Sequence, residues 1–301
     1  EMCVEQGWSV VAFDRYNPQN HWGWLENSKY RDDFEMRLGD IRDYDSVFGA
    51  MKGCNQVFHL AAMISVPYSY VSPLAFIRTN IEGTYNVLEA AKQLGSIGVH
   101  ITSTSEIYGT AQYTPMDENH PPIAQSPYAA SKTAADQLAI SYFRAFNLPI
   151  KILRPFNTFG PRQSTRAIIP TIITQLLGGQ EPIVLGSLSP KRDFVFVRDV
   201  CQAYLETHKS KEMIGETVNI GMGSSVSVLN LAEKIMELMG KRIEIQEGVD
   251  RFRPCRSEVW DLVCNNSKIK EKTNWRPTYT IDSGLSEAID WYRIPGNLEV
   301  F

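Results

Sequence analysis

Tyr128 and Lys132 stand four residues apart in Ser126-Pro-Tyr-Ala-Ala-Ser-Lys132. On a helix that spacing puts both side chains on one face. An ammonium beside a phenol favours the phenolate and lowers the tyrosine pKa. Such a pair suits removal of a proton from a hydroxyl while hydride leaves the same carbon. The spacing alone is common: 13 tyrosines and 13 lysines in 301 residues give about 0.6 such pairs by chance. A surface tyrosine stacked on a lysine stem reads the same way. Context adds to it, because the pair opens a helical pattern downstream of Ile101-Thr-Ser-Thr-Ser-Glu-Ile-Tyr-Gly109. That segment collects hydroxyls and a carboxylate. Thr104 can hydrogen-bond the hydroxyl that Tyr128 deprotonates, and Glu106 can act as base toward a carbon acid next to a ketone. Without the Tyr/Lys pair the same residues read as loop caps.

Arg162, Arg166, Arg192 and Arg253 follow in the second half. Guanidinium groups make bidentate contacts to phosphate, and a pyrophosphate needs two or three. Any one of them alone is as well explained by a solvated ion pair. Asp14 ends an apolar run, where a carboxylate accepts hydrogen bonds from ribose hydroxyls or else caps a turn. Asp40 and Ile41, in Gly39-Asp-Ile-Arg-Asp43, stand at the next strand end and suit an adenine. His59-Leu-Ala-Ala62 ends a further strand, and its small residues permit close backbone approach or plain packing.

These residues need elements to carry them. Short apolar runs at Ser9–Phe13, Gln56–Leu60, Gly98–Thr102 and Ile150–Arg154 read as strands. Tyr44–Met51, Pro73–Leu94 and Pro127–Phe146 have helical periodicity between them. Strands spaced by helices predict a doubly wound parallel sheet with ligands at the carboxyl ends of its strands. The second half is mixed. It has helices at Ala167–Leu177, Asp199–His208, Val228–Met239 and Ser283–Tyr292. Its strands are Arg192–Val197, Thr217–Ile220 and Arg242–Gln246. The expected domains are 1–157 for dinucleotide binding and 158–301, a smaller mixed α/β unit, for substrate, with a strand near 216–221 returning to the first.

A net charge of −4 recommends no nucleic-acid or membrane partner. No apolar run approaches the roughly 20 residues of a membrane span. Cysteines 3, 54, 201, 255 and 264 form no CxxC or metal pattern. They read as reduced, mostly buried thiols of a cytoplasmic protein, and no metal is expected.

Together the motifs resemble the extended short-chain dehydrogenase/reductases, specifically the NAD-dependent nucleotide-sugar epimerases and dehydratases. The resemblance covers Gly7 to Tyr292. It rests on Phe13-Asp14, Gly39-Asp-Ile41, His59-Leu-Ala-Ala62, Thr79-Asn80-Ile-Glu-Gly-Thr84, Ser103-Thr-Ser-Glu106, Tyr128-x-x-x-Lys132, Arg154-Pro-Phe-Asn157, Gly160-Pro-Arg162, Arg192-Asp-Phe194, Asn219-Ile-Gly221 and Asn274-Trp-Arg-Pro277. It implies a Rossmann sheet and NAD as cofactor. It assigns Thr104, Ser105, Glu106, Tyr128 and Lys132 to catalysis. NAD is assigned Asp14, Arg15, Asp40, Ile41, Leu60, Ala61, Ala62, Asn80, Ser103, Tyr128, Lys132 and Pro155. The nucleotide-diphosphate sugar (UDP-, GDP- or dTDP-linked) is assigned Ser65, Thr104, Asn157, Arg166, Arg192, Asn219 and Arg253. A homodimer through the helices at Pro73–Leu94 and Pro127–Phe146 is implied as well.

Thr104-Ser-Glu106 is the pattern of the GDP-mannose dehydratases and also of UDP-glucuronate decarboxylases. Plain 4-epimerases lack the acid, and glucose-nucleotide dehydratases carry Thr-Asp-Glu. The segments Tyr16–Leu25 and Arg154–Pro170 look most like dehydratases of nucleotide-linked N-acetylglucosamine, enzymes of cell-surface polysaccharide synthesis. The expected activity is 4,6-dehydration to a 4-keto-6-deoxy sugar. Decarboxylation, 4-epimerisation and a non-catalytic nucleotide-sugar or NAD sensor are its alternatives. One family feature stands nowhere in the 301 residues: the first strand with its Gly-x-x-Gly-x-x-Gly loop, which holds the cofactor pyrophosphate at a helix N-terminus. Glu1–Gly7 matches the end of the helix that this loop opens. Either residues precede Glu1, or a chain starting there lacks the central strand and binds NAD weakly.

Overall fold

The computed structural model describes residues 1–95, 97–248, 250 and 252–298. The chain opens with α1 (Met2–Glu5), β1 (Val10–Arg15), β2 (Phe34–Gly39), α2 (Tyr44–Met51) and β3 (Gln56–His59). Next come α3 (Val66–Val71), α4 (Pro73–Phe76), a π turn (Ile77–Glu82), α5 (Gly83–Gln93), β4 (Gly98–Thr102), α6 (Pro127–Phe146) and β5 (Ile150–Pro155). The rest comprises β6 (Asn157–Phe159), α7 (Ile168–Leu177), β7 (Ile183–Leu185), β8 (Lys191–Arg192), β9 (Phe194–Phe196), α8 (Val197–Lys209) and β10 (Thr217–Ile220). It closes with β11 (Val226–Ser227), α9 (Val228–Leu238), β12 (Ile245–Glu247), α10 (Ser267–Lys272) and α11 (Ile281–Arg293).

The chain divides into two compact units. One holds Glu1–Ile107, Ser126–Arg154 and Tyr204–Val218; the other holds Tyr108–Gln125, Pro155–Ala203 and Asn219–Phe301. In the first unit β3, β4 and β5 run parallel in a sheet of order β10-β5-β4-β3, while β1 and β2 form a separate parallel pair. β4 and β5 are buried on both faces, including His100, Lys151 and Arg154 among their apolar residues. Val47, Leu88, Val99, Ile101, Ala139 and Ile152 pack α2, α5 and α6 into one core with this sheet. A cleft of about 900 Å³ is lined by Val10–Phe13 of β1 and Gln56–His59 of β3. In the second unit Ile172, Leu185, Phe196, Leu231 and Ile289 centre a core built from α7, α9 and α11 on short strands.

Three sequence expectations change. Arg192–Val197 is not one strand: Asp193 interrupts it, because its fully buried carboxylate turns inward to accept from the Met222, Gly223 and Cys264 amides. Pro73–Leu94 is helical but widens into the π turn at Ile77–Glu82. The cysteines are not mostly buried. Cys264 is, Cys3 and Cys54 are half-buried, and Cys201 is exposed on α8; the side chain of Cys255 lies outside the described residues.

Candidate active site

α6 carries the Tyr/Lys pair, and its start is set locally. Ser126 caps it by accepting from Ala129 N at 3.1 Å, Pro127 takes the first turn, and Asn147 closes it in the left-handed region. Tyr128, Ser131, Lys132, Ala135, Asp136 and Ala139 then form the buried stripe. Lys132 donates from Nζ to the Thr102 carbonyl at 2.5 Å, fixing the helix to the end of β4. Beyond that end the chain turns through Ser105–Tyr108, where the Thr104 hydroxyl accepts from Glu106 N at 3.2 Å. Thr104 and Ser105 are buried and Glu106 is half-buried. The structure therefore brings Thr104, Glu106, Tyr128 and Lys132 together in the first unit.

The electrostatics depart from the simple picture of an ammonium activating a phenol. Burial pushes Tyr128 up to about 12; its hydrogen bond with Thr104 opposes this, and the charges of Glu106 and Asp136 reinforce it. Burial also lowers Lys132 to about 8, with Asp136 holding it up. Removing a dry site's water penalises both charged forms at once.

A second chain of contacts supports this group. Asn80, in the π turn, donates from Nδ2 to the Met63 carbonyl at 3.0 Å and to Ser131 Oγ at 2.9 Å, and accepts from Met63 N at 2.8 Å. Ser131 donates onward to the Tyr128 carbonyl. Thr84 gives its one hydroxyl proton to the Asn80 carbonyl, so His59 Nε2, 3.0 Å away, must be the donor to Thr84. His59 is a neutral imidazole protonated on Nε2, pulled down to about 3 by burial and by Lys132.

The remaining cofactor candidates sit at strand ends. Asp14 and Arg15 close β1 in the open, with Asp14 Oδ1 accepting from Arg15 N at 2.7 Å. Asp40 follows β2, paired with Arg42 at 2.5 Å, and that guanidinium holds it at about 2. Ile41 packs on Gly83, where an added Cβ would stand 2.9 Å from its Cγ1. Leu60 and Ala61 are exposed and Ala62 half-buried after β3. Ser103 is buried, and its hydroxyl donates to Asp136. Pro155 ends β5, half-buried.

The substrate candidates divide between the units. Ser65 caps α3 through Tyr68 N in the first. In the second unit Arg192 is buried against Glu258 at 3.2 Å, Arg166 is exposed and Arg253 is half-buried. Asn157 donates its backbone N–H to the Asp193 carbonyl, while its buried Oδ1 has no partner among the described residues. Asn219 is wholly buried. Its Oδ1 accepts from Tyr108 Oη at 2.7 Å, and its Nδ2 donates to the Met116 carbonyl at 3.1 Å. Arg162 holds a positive φ of 67°. His59, Thr84 and Arg154 stand in the quoted motifs without an assigned role, and Ser131 and Asp136 were passed over; Asp136 carried a signal as an acid on the buried stripe one turn beyond Lys132.

Residues 1–288 match the family model described as GDP-mannose 4,6 dehydratase. The chain is similar to the dTDP-glucose 4,6-dehydratase of Streptomyces antibioticus, 33% identical over 85% of this chain and 75% of that one. Among solved structures it is similar to DesIV, a dTDP-glucose 4,6-dehydratase from Streptomyces venezuelae crystallised with NAD bound. That match has a TM-score of 0.86 at 27% identity, over 95% of this chain and 87% of that one. It is also similar to the UDP-glucose 4-epimerase of Thermotoga maritima, with a TM-score of 0.88 at 26% identity over 97% and 93% of the two chains.

Proposed function

The chain belongs to the GDP-mannose 4,6-dehydratase family, and we propose that within it the chain is an NAD-dependent 4,6-dehydratase of a nucleotide-diphosphate sugar, a carbon–oxygen lyase. The observation that carries this is Glu106, a carboxylate beside Thr104 whose charge bears on the Tyr128 phenol. Oxidation and re-reduction at one carbon need only the Tyr/Lys pair; removal of a carbon-bound proton needs a further base.

The residues present suit the two nucleoside ends of NAD. Asp14 offers an exposed carboxylate to ribose hydroxyls and would repel a 2′-phosphate. Asp40 and Ile41 would hold the adenine, and Tyr128 and Lys132 the nicotinamide ribose. Bound NAD supplies a temporary acceptor for the sugar's C4 hydride and returns it later. Tyr128 takes the proton from the sugar O4, with Thr104 hydrogen-bonded to the phenol and Lys132 fixed behind it. The 4-keto group acidifies C5–H; Glu106 takes that proton and passes it to the C6 hydroxyl, which departs as water, and C5 later regains a proton from solvent. Asn80 and Ser131 hold the Tyr128 backbone in register. Arg166, Arg192, Arg253, Asn157 and Asn219 are proposed for the nucleotide diphosphate and sugar, with Arg162 beside them.

A cytoplasmic homodimer is the proposed state. No described helix is long and apolar enough to cross a membrane. Ile64, Val71, Leu74, Ile77 and Tyr85 expose apolar surface along α3 to α5, and a second copy of this chain is the proposed occupant. Light scattering tests it: a monomer at micromolar concentration refutes it.

Decarboxylation of UDP-glucuronate is the second reading, because the Thr104-Ser105-Glu106 pattern resembles that of such decarboxylases as well. Incubation with UDP-glucuronate separates the two, since only that reading yields CO₂. For the first, a panel of UDP-, GDP- and dTDP-sugars is analysed by mass spectrometry. A product lighter by one water is expected from at least one sugar. Glu106→Gln should abolish water loss, and undiminished 4-keto-6-deoxy product from it refutes the role given to Glu106.

A further inference from the structure

Asp136 is the most thoroughly buried acid among the described residues of the first unit, at 1% exposure. Its Oδ2 gathers three donors: Ser103 Oγ at 2.8 Å, Arg154 Nε at 3.1 Å and Arg154 Nη2 at 3.0 Å. Those donors come from the ends of β4 and β5, and Asp136 itself from α6. One carboxylate oxygen therefore joins the strand end bearing Thr104 and Glu106 to the helix bearing Tyr128 and Lys132. Its other oxygen, Oδ1, is buried with no hydrogen-bond partner among the described residues. A buried carboxylate oxygen without a hydrogen bond is costly and calls for an account. The nearest cation on its own helix is Lys132, one turn earlier, whose ammonium has turned to the Thr102 carbonyl.

We propose that Asp136 is a positioning residue that keeps Lys132 cationic and aligned with Tyr128, with Arg154 retaining Asp136 as a carboxylate. This rests on the acid/base role given to Tyr128 and Lys132 above. The charged and titratable groups around Lys132 are few. Tyr128 and Asp136 share α6 with it, Glu106 follows β4, Arg154 is on β5, and His59, kept neutral, is on β3. Asp136 is the anion of that set that burial removes most fully from solvent screening. Burial pulls the Lys132 ammonium down and Asp136 pushes it back up. Removing the carboxylate would take away the charge that opposes the effect of burial on Lys132. Lys132 would then lose its proton at lower pH, and the Tyr128 phenol, which Asp136 also pushes up, would ionise at lower pH.

Asp136→Asn tests this, because the amide keeps the shape and its Oδ1 can still accept from Ser103 and Arg154. Both limbs of the kcat–pH profile should move toward acid, the alkaline limb by about one to two pH units, the scale of one charge a helical turn away at an effective dielectric near 20. A merely structural role lowers kcat and the melting temperature without moving either limb, and that result overturns the proposal. A second readout needs no turnover. With ¹³C-labelled lysine, the Lys132 Cε resonance, assigned by its loss in Lys132→Met, should titrate at lower pH in Asp136→Asn than in the parent. Coincident titrations overturn the proposal. If the parent converts no nucleotide sugar while the Lys132 titration still shifts, the functional reading fails and the charge coupling stands.

Discussion

Acidification should unlock the support behind the candidate site through one residue, His59. Its ring is buried, donates to Thr84 and stands near Lys132, so a proton on it would add a second buried cation without a counter-charge. Its pKa falls from 6.5 to about 3 on folding. A base with a depressed folded value binds fewer protons folded than unfolded. Its stabilising contribution is complete above 6.5 and is lost as pH falls toward 3. For one such site, stability drops by about 1.3 kcal/mol between pH 7.5 and pH 5.5. With a urea dependence near 3 kcal/mol/M, that is a midpoint shift of about 0.4 M. His100 and His208 are also pulled down by burial and steepen the same slope. The comparison is therefore with His59→Gln, whose amide can still donate to Thr84. Urea unfolding of both proteins at pH 7.5, 6.5 and 5.5 should show the variant losing about 1.3 kcal/mol less than the parent across that range. Parallel pH dependences would refute the assignment of His59 as a neutral, buried donor.

Two further substitutions probe the positioning of the site. Gly83→Ala places a Cβ 2.9 and 3.0 Å from the Ile41 side chain. Overpacking of about 1–3 kcal/mol should outweigh the helix propensity gained, lowering the melting temperature by a few degrees and weakening NAD binding by calorimetry; a raised melting temperature contradicts this. Asn80→Ala strips Met63 N, Met63 O and Ser131 Oγ of a shared partner. It should cost roughly 2–4 kcal/mol in urea unfolding and reduce kcat more than it raises KM. An unchanged kcat would show that Asn80 supports the fold without supporting Tyr128.

Much of this was legible in the residues. Short runs at Gly98–Thr102 and Ile150–Arg154 announced strands, and Ser126-Pro127 announced the start of α6, because those signals are local. The interruption at Asp193 was not legible: it depends on amides at 222, 223 and 264, which meet the carboxylate only in the folded chain. The π turn at Ile77–Glu82 escaped for a similar reason, since its residues fit helical periodicity and nothing local separates a π turn from an α turn. Within the candidate site, Tyr128 and Lys132 were visible by spacing. Burial reversed the expected direction of the phenol's shift, and burial is a property of the whole unit. His59 and Thr84 were visible as motif residues, but their contact was not, because a lone histidine gives no sign of where its proton is held.

The most direct test of the central claim is isotopic. Purified protein with NAD is given nucleotide sugars carrying deuterium at C4, in ordinary water, and the products are read by mass spectrometry and NMR. Dehydration through Tyr128 and Glu106 predicts loss of one water, deuterium moved from C4 to C6, and a solvent proton at C5. A product of unchanged mass with deuterium still at C4, or release of CO₂ from UDP-glucuronate instead, would contradict it.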